Sequence, residues 1–134
     1  MGGPVKNALL KERLGNCDDW VRRAFADLVT VCSAAAPIVK VQSASRGEGL
    51  TFYIAFDDRP FCRIDPKQKY LGVGYHNIVR DDVQRTGLLR AGRPDRAWIF
   101  VRNGDDLTNA IKLVDKAAGA LKTGCHPGLK TLPG

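Results

Sequence analysis

The residues best suited to chemistry lie between positions 57 and 67. Asp57 and Asp58 precede "RPFCRIDPK", in which Asp65 stands two places before Lys67. An acid followed by Asp-x-Lys imitates a metal-dependent nuclease site, where two carboxylates hold Mg²⁺ and the amine orients or activates the attacking water. Asp57 or Asp58 would be the first ligand, Asp65 the second and Lys67 the amine, so the mechanism requires Asp58, Asp65 and Lys67 to converge. Pro66 opposes this reading, because Asp-Pro opens turns. The plainer meaning is a strand end followed by the turn "DPKQK".

Other reactive types are sparse. His76 follows Tyr75 at a strand end, and His126 sits in a Gly/Pro-rich tail. No nucleophile lies near His76 in sequence, which reads as a strand-terminal surface residue. Cys17, Cys32, Cys62 and Cys125 form no Cys-x-x-Cys pair. Cys32 falls on the apolar side of a helical pattern and Cys62 beside Ile64 in a strand pattern, so both read as small buried hydrophobes. A zinc site would have to draw Cys17 together with Cys125 and His126, and adjacent Cys-His is not metal-ligand spacing. Gly72-x-Gly74 lacks the third glycine and the helix of a dinucleotide fingerprint. No catalytic residue, metal or cofactor is assigned.

Charge carries more information. The 134-residue chain has a formal net charge of +7, which favours a polyanionic partner. Six arginines fall between positions 80 and 102, at Arg80, Arg85, Arg90, Arg93, Arg96 and Arg102, opposed only by Asp81, Asp82 and Asp95. The preference for Arg over Lys suits planar, bidentate contact with phosphate or carboxylate.

The elements that must position these groups follow from periodicity. A helix is expected from Asp18, with Asp18 or Asn16 as its cap, because Trp20, Ala24, Phe25, Leu28, Cys32 and Ala35 recur at helical spacing until Pro37. Five stretches alternate with period two: "IVKVQSA", "LTFYIAF", "FCRID", "YLGVGYH" and "RAWIFVR". The second and third flank a short Asp-Asp-Arg-Pro turn and read as a hairpin. Between the last two strands, a short helix is expected through Arg80 to Thr86, stopped by Gly87, followed by a Gly/Pro-punctuated loop. A final helix, with Asp105 as cap, carries Leu107, Ala110, Ile111, Val114, Ala117, Ala118 and Leu121 as one stripe.

One α+β domain follows: a two-layer fold with an antiparallel sheet of about five strands and the N-terminal and C-terminal helices packed on one face. Residues 1–15 read as a loosely ordered arm, 16–121 as the globular core and 122–134 as a tail. No apolar run approaches the ~20 residues of a membrane span. The N-terminus lacks a signal-peptide core, and a cytoplasmic location is the expectation.

The hairpin's alternation places Phe52, Ile54, Cys62 and Ile64 under the helices. Tyr53, Phe61, Arg63 and Asp65 then belong to the opposite face, where Lys40, Tyr70, Trp98, Phe100 and Arg102 join them. Gly72 and Gly74 leave room there for a close approach. Aromatics interleaved with arginine compose a stacking platform for single-stranded nucleic acid. They also compose a dimer interface.

The block "DRAWIFVRNGDDLTNAIKLVDKAA" resembles the final strand and helix of the small bacterial YjbR-like (CyaY-like fold) domains, and "FCRIDPKQKYLGVGY" resembles their central meander. The specific matches are Trp98, Asp105, Asp106 and the Leu107–Leu121 stripe. The resemblance implies a bacterial accessory domain suspected of binding DNA. The Arg-rich surface makes the leading expectation a non-enzymatic basic accessory module that binds nucleic acid. Arg80, Arg85, Arg90, Arg93 and Arg96 would meet phosphate, and Tyr53, Arg63 and Trp98 would form a stacking face. A homodimeric ligand-binding or protein-interaction domain is the alternative, and the Asp-x-Lys nuclease a third reading.

Overall fold

The computed structural model describes the backbone of residues 10–35, 38–44, 47–53 and 60–123. Ile54, Phe56, Asp57, Asp58, Cys125 and His126 lie outside the described residues, as do the side chains of Lys40 and Tyr53. A short helix, α1, occupies residues 10–15, and α2 spans Asp19–Ala35. Strands β1 (Ile38–Ala44), β2 (Gly47–Tyr53), β3 (Pro60–Pro66) and β4 (Leu71–Tyr75) follow. A 3-10 turn (Asn77–Val79) leads into α3 (Arg80–Arg85), then β5 (Ala97–Val101) and α4 (Gly104–Thr123). The five strands form one antiparallel meander in the order β1-β2-β3-β4-β5.

The apolar stripes decide which face the helices cover. Helix α2 buries Val21, Ala24, Phe25, Leu28 and Cys32, and α4 buries Ala110, Leu113, Val114, Ala117, Ala118 and Leu121. Both meet the same side of the sheet. Cys32 of α2 lies with its Sγ 3.8 Å from that of Cys62 on β3. The Tyr75 hydroxyl on β4 donates to the Ala110 carbonyl of α4 at 2.7 Å. Register aligns Phe52, Cys62, Tyr75 and Ala97 in one row, and Leu50, Ile64, Val73 and Ile99 in the next. All but Leu50 are fully buried. Period-two alternation in the strands and a 3.6-residue stripe in the helices thus meet as the two halves of one core.

Three details depart from the sequence reading. The expected loose arm is docked from residue 10 onward: Leu10 is buried, and Arg13 Nε donates to the Pro66 carbonyl at 2.6 Å. A short apolar segment acquires helical order here through tertiary contact rather than propensity. Phe61, expected on the open face beside Arg63, is fully buried and edge-on to Phe52, with ring centroids 6.4 Å apart. Pairing passes from Phe52↔Cys62 to Tyr53↔Pro60, so Phe61 is the extra residue of a bulge, and a bulge re-aims its side chain. The cap of α4 is Asn103, not Asp105. Its Oδ1 accepts from the Asp106 amide at 2.9 Å, while the Asp106 carboxylate accepts from the Arg102 amide at 3.0 Å. That reciprocal pairing is a variant of the capping box.

Burial pushes the Cys62 thiol and the Tyr75 phenol well above their ordinary pKa values, with the neighbouring Cys32 adding to the effect on Cys62. The unfolded chain releases these protons from about pH 8.5 and about pH 10. Below those values both states keep both protons and the stabilisation is complete. Above them the unfolded state ionises first, so stability falls as pH rises toward the folded-state values. Thermal unfolding should therefore show a falling midpoint between about pH 9 and 11. The Tyr75→Phe variant should show a shallower alkaline slope than the parent, and equal slopes would contradict a buried neutral phenol.

Candidate nucleic-acid interface

The sheet face away from the helices is assembled from two rows of side chains. In one row Lys40 pairs with Thr51, Thr51 with Arg63, Arg63 with Gly74 and Gly74 with Trp98. In the other, Asp65 pairs with Gly72 and Gly72 with Phe100. Charged, glycine and aromatic positions thus succeed one another across β3, β4 and β5. The glycines make the rows close. A Cβ on Gly74 would meet the Trp98 ring at 2.9 Å, and one on Gly49 would run into the Asp65 carboxylate and lie 2.7 Å from the Ile64 carbonyl.

Arg63 and Asp65 are both buried, and Arg63 Nε donates to Asp65 Oδ1 at 2.8 Å. Strand periodicity puts residues two apart on the same side, so the pair forms within β3 itself. Arg63 also reaches the buried Thr51 hydroxyl at 3.5 Å. Arg63 is therefore a structural cation under the surface and not part of an open stacking face, which corrects the sequence expectation for it. Asp65 is committed to this guanidinium at the position where a nuclease would need a metal ligand. Asp58 lies outside the described residues, and no group of three or more His, Cys, Asp or Glu side chains able to hold a metal occurs among the described residues.

Trp98 is likewise closed off. It lies over Gly74, its indole N–H points to Asp95 Oδ2 at 3.4 Å, and Arg93 covers its ring at 4.7 Å from the centroid. The segment between α3 and β5 thus folds back onto the face. Arg80 holds it there, donating to Asn77 Oδ1 at 2.9 Å and to the carbonyls of Arg93 and Arg96 at 3.3 Å each. Asn77 donates to the Pro94 carbonyl at 2.9 Å, and the Arg90 amide donates to the Trp98 carbonyl at 2.8 Å. His76 Nδ1 accepts from the Ile78 amide at 3.0 Å, so this imidazole is a turn cap. Arg80 is a loop clamp, where the sequence suggested a phosphate contact. Arg96 is half-buried, and burial, then the nearby Arg63, pulls its guanidinium pKa down. Arg85 shares Asp82 with Lys116 of α4, at 3.1 and 3.4 Å, which places it toward the helix layer.

Three arginines remain on the outer surface of the face. Arg90 lies 4.4 Å from the Phe100 ring centroid, and Arg102 lies 5.4 Å from Phe100 and 5.8 Å from Tyr70. Arg93 covers Trp98 as described. Tyr70 and Phe100 are tilted against each other at 4.6 Å and 37°. Among the described residues, Arg90, Arg93 and Arg102 form no ion pair. A guanidinium over a ring spends none of its N–H donors on a carboxylate and keeps them for an incoming anion. Between these stacks opens a cleft of about 100 Å³, lined by Asp65, Lys67, Tyr70, Gly72, Arg93, Trp98 and Phe100. Asp65 and Lys67 thus do share one cavity, with aromatic rings and not a second carboxylate between them.

The chain matches no protein-family model, no curated protein and no solved structure. The site is therefore read from its own geometry.

Removing Asp65 leaves a buried guanidinium without its carboxylate. Asp65→Ala should cost about 3–5 kcal/mol in urea unfolding, whereas replacing both partners, Arg63→Met with Asp65→Leu, should recover most of that loss. A cost below about 1 kcal/mol for the single variant would mean the pair is not a structural element.

Proposed function

We propose that this chain is a non-enzymatic module that binds single-stranded nucleic acid across the β3-β4-β5 face. Arg90, Arg93 and Arg102 contact the phosphates, and Tyr70 and Phe100 offer ring surface to the bases. One observation carries the reading: three guanidiniums lie over aromatic rings and form no ion pair among the described residues. Positive charge that tracks a strand beside aromatic surface is what sequence-tolerant single-strand binding requires. The net charge of +7 supplies long-range attraction in the same direction.

Pairing two copies through this face is less well supported. A two-fold interface uses the same patch twice, so it would gather into one seam guanidiniums that form no ion pair among the described residues.

Fluorescence anisotropy with a labelled mixed-sequence single strand tests the proposal. Affinity should fall steeply with salt. The Arg90→Ala, Arg93→Ala, Arg102→Ala triple variant should flatten the log–log salt dependence by about 2, from about 0.7 per lost phosphate contact. Absence of binding at low salt, or an unchanged slope in the triple variant, would falsify it.

A further inference from the structure

Two sulfurs meet across the core. Cys32 stands in the last turn of α2 and Cys62 inside β3, 30 positions further along the chain, and their Sγ atoms lie 3.8 Å apart. Both residues are fully buried, and both are free thiols. Cys17, the third described cysteine, is placed differently: its thiol donates to the Arg13 carbonyl at 3.2 Å. Among the described residues, Cys32 and Cys62 are thus the pair in which one sulfur touches another. We infer that they are a dithiol that closes to an intramolecular disulfide, a covalent tie between the end of α2 and β3. The inference stands apart from the nucleic-acid reading, because it concerns the opposite side of the sheet.

A disulfide bond is about 2 Å long, so the sulfurs must approach by a further ~2 Å. Cys62 is paired on both sides, with Phe52 of β2 and Tyr75 of β4, and β3 cannot shift alone. The movement falls to the last turn of α2, three residues before the helix ends at Ala35. The reaction also needs an acceptor for two electrons, and a small disulfide such as oxidised glutathione supplies it. One cysteine loses its proton to water, and its thiolate attacks the small disulfide and expels one small thiolate. The second cysteine loses its proton in turn, and its thiolate displaces the other small thiolate from the mixed disulfide. Both released thiolates take up protons. Two protein S–H groups and one small S–S bond become one protein S–S bond and two small thiols, and the protein is oxidised by two electrons. Burial holds Cys62 as the thiol, which is the unreactive form, so the packed core is inert. Attack therefore starts when the last turn of α2 has come away from the sheet. Helix ends open at far less cost than whole domains.

The test uses the whole chain, equilibrated with oxidised glutathione or kept reduced with dithiothreitol. Each sample is then unfolded, alkylated and digested with trypsin without further reduction. In the oxidised sample, segments 24–40 and 47–63, which carry Cys32 and Cys62, should be recovered as one linked peptide, two hydrogens lighter than the separate pair. The oxidised chain should melt about 10 °C above the reduced one, the shift expected from closing a loop of this length, and dithiothreitol should reverse it. Bridging should run several-fold faster in urea too dilute to unfold the chain, because urea populates the opened turn. Cys32→Ala and Cys62→Ala, each checked for folding by circular dichroism, should show neither the link nor the shift. The unmodified chain decides the matter even if a variant fails to fold. Full alkylation of both segments at equilibrium overturns the inference. So does a mixed disulfide that persists on Cys32 or Cys62, a bridge from either one to Cys17 or Cys125 instead, or a linked chain that melts lower than the reduced one.

Discussion

A guanidinium and a carboxylate two residues apart on a central strand must stay together once water is withdrawn from them. Arg63 and Asp65 are in that position, and the surrounding structure is arranged around the demand. Gly49 leaves the volume into which Asp65 lies, Thr51 supplies a hydroxyl, and Trp98 reaches across the bare backbone of Gly74 toward Arg63's row. Separating two such charges in a low-dielectric setting is far more costly than any single contact at the surface. The pair is therefore tolerated only on the face of β3 that the apolar alternation turns from the helices, where Thr51 and the Gly49 gap receive it.

That loop gives the arginines two kinds of work. Arg80 bridges carbonyls of the loop, and Arg96 is half-buried near Arg63. Arg90, Arg93 and Arg102 face outward on aromatic rings. Each exposed cation–π contact stabilises by only about 0.5–1 kcal/mol. Several together still restrict long side chains that would otherwise lose rotamer freedom on meeting an anion. Pre-ordered guanidiniums therefore reach a phosphate with less entropy left to lose.

Much of the fold was legible in the sequence. Alternation placed Phe52, Cys62 and Ile64 under the helices and Arg63 opposite, and the helical stripes identified both packing helices. The short helix through Arg80 to Arg85 was legible from its length and its stop at Gly87. Phe61 was not, because a one-residue bulge breaks the parity on which alternation rests, and nothing in "RPFCRID" marks the register shift. Nor could composition divide the arginines. Whether a guanidinium meets a carbonyl, a ring or solvent depends on where an eleven-residue connection folds back, roughly the length at which loops cease to be predictable from their ends. The neighbourhood of Asp65 and Lys67 was visible as spacing, yet its meaning changed once Arg63 proved to be the carboxylate's partner.

In a meander of this order β5 ends the sheet, and a terminal strand normally displays a ladder of unsatisfied amides and carbonyls. The Arg90 amide already occupies the Trp98 carbonyl on that strand. A strand arriving from another molecule would find the carbonyl near the start of β5 already taken, by a residue of an arginine-rich connection. The same connection that shapes the outer face thus also withdraws one edge carbonyl from pairing at the last strand, where a free edge invites addition.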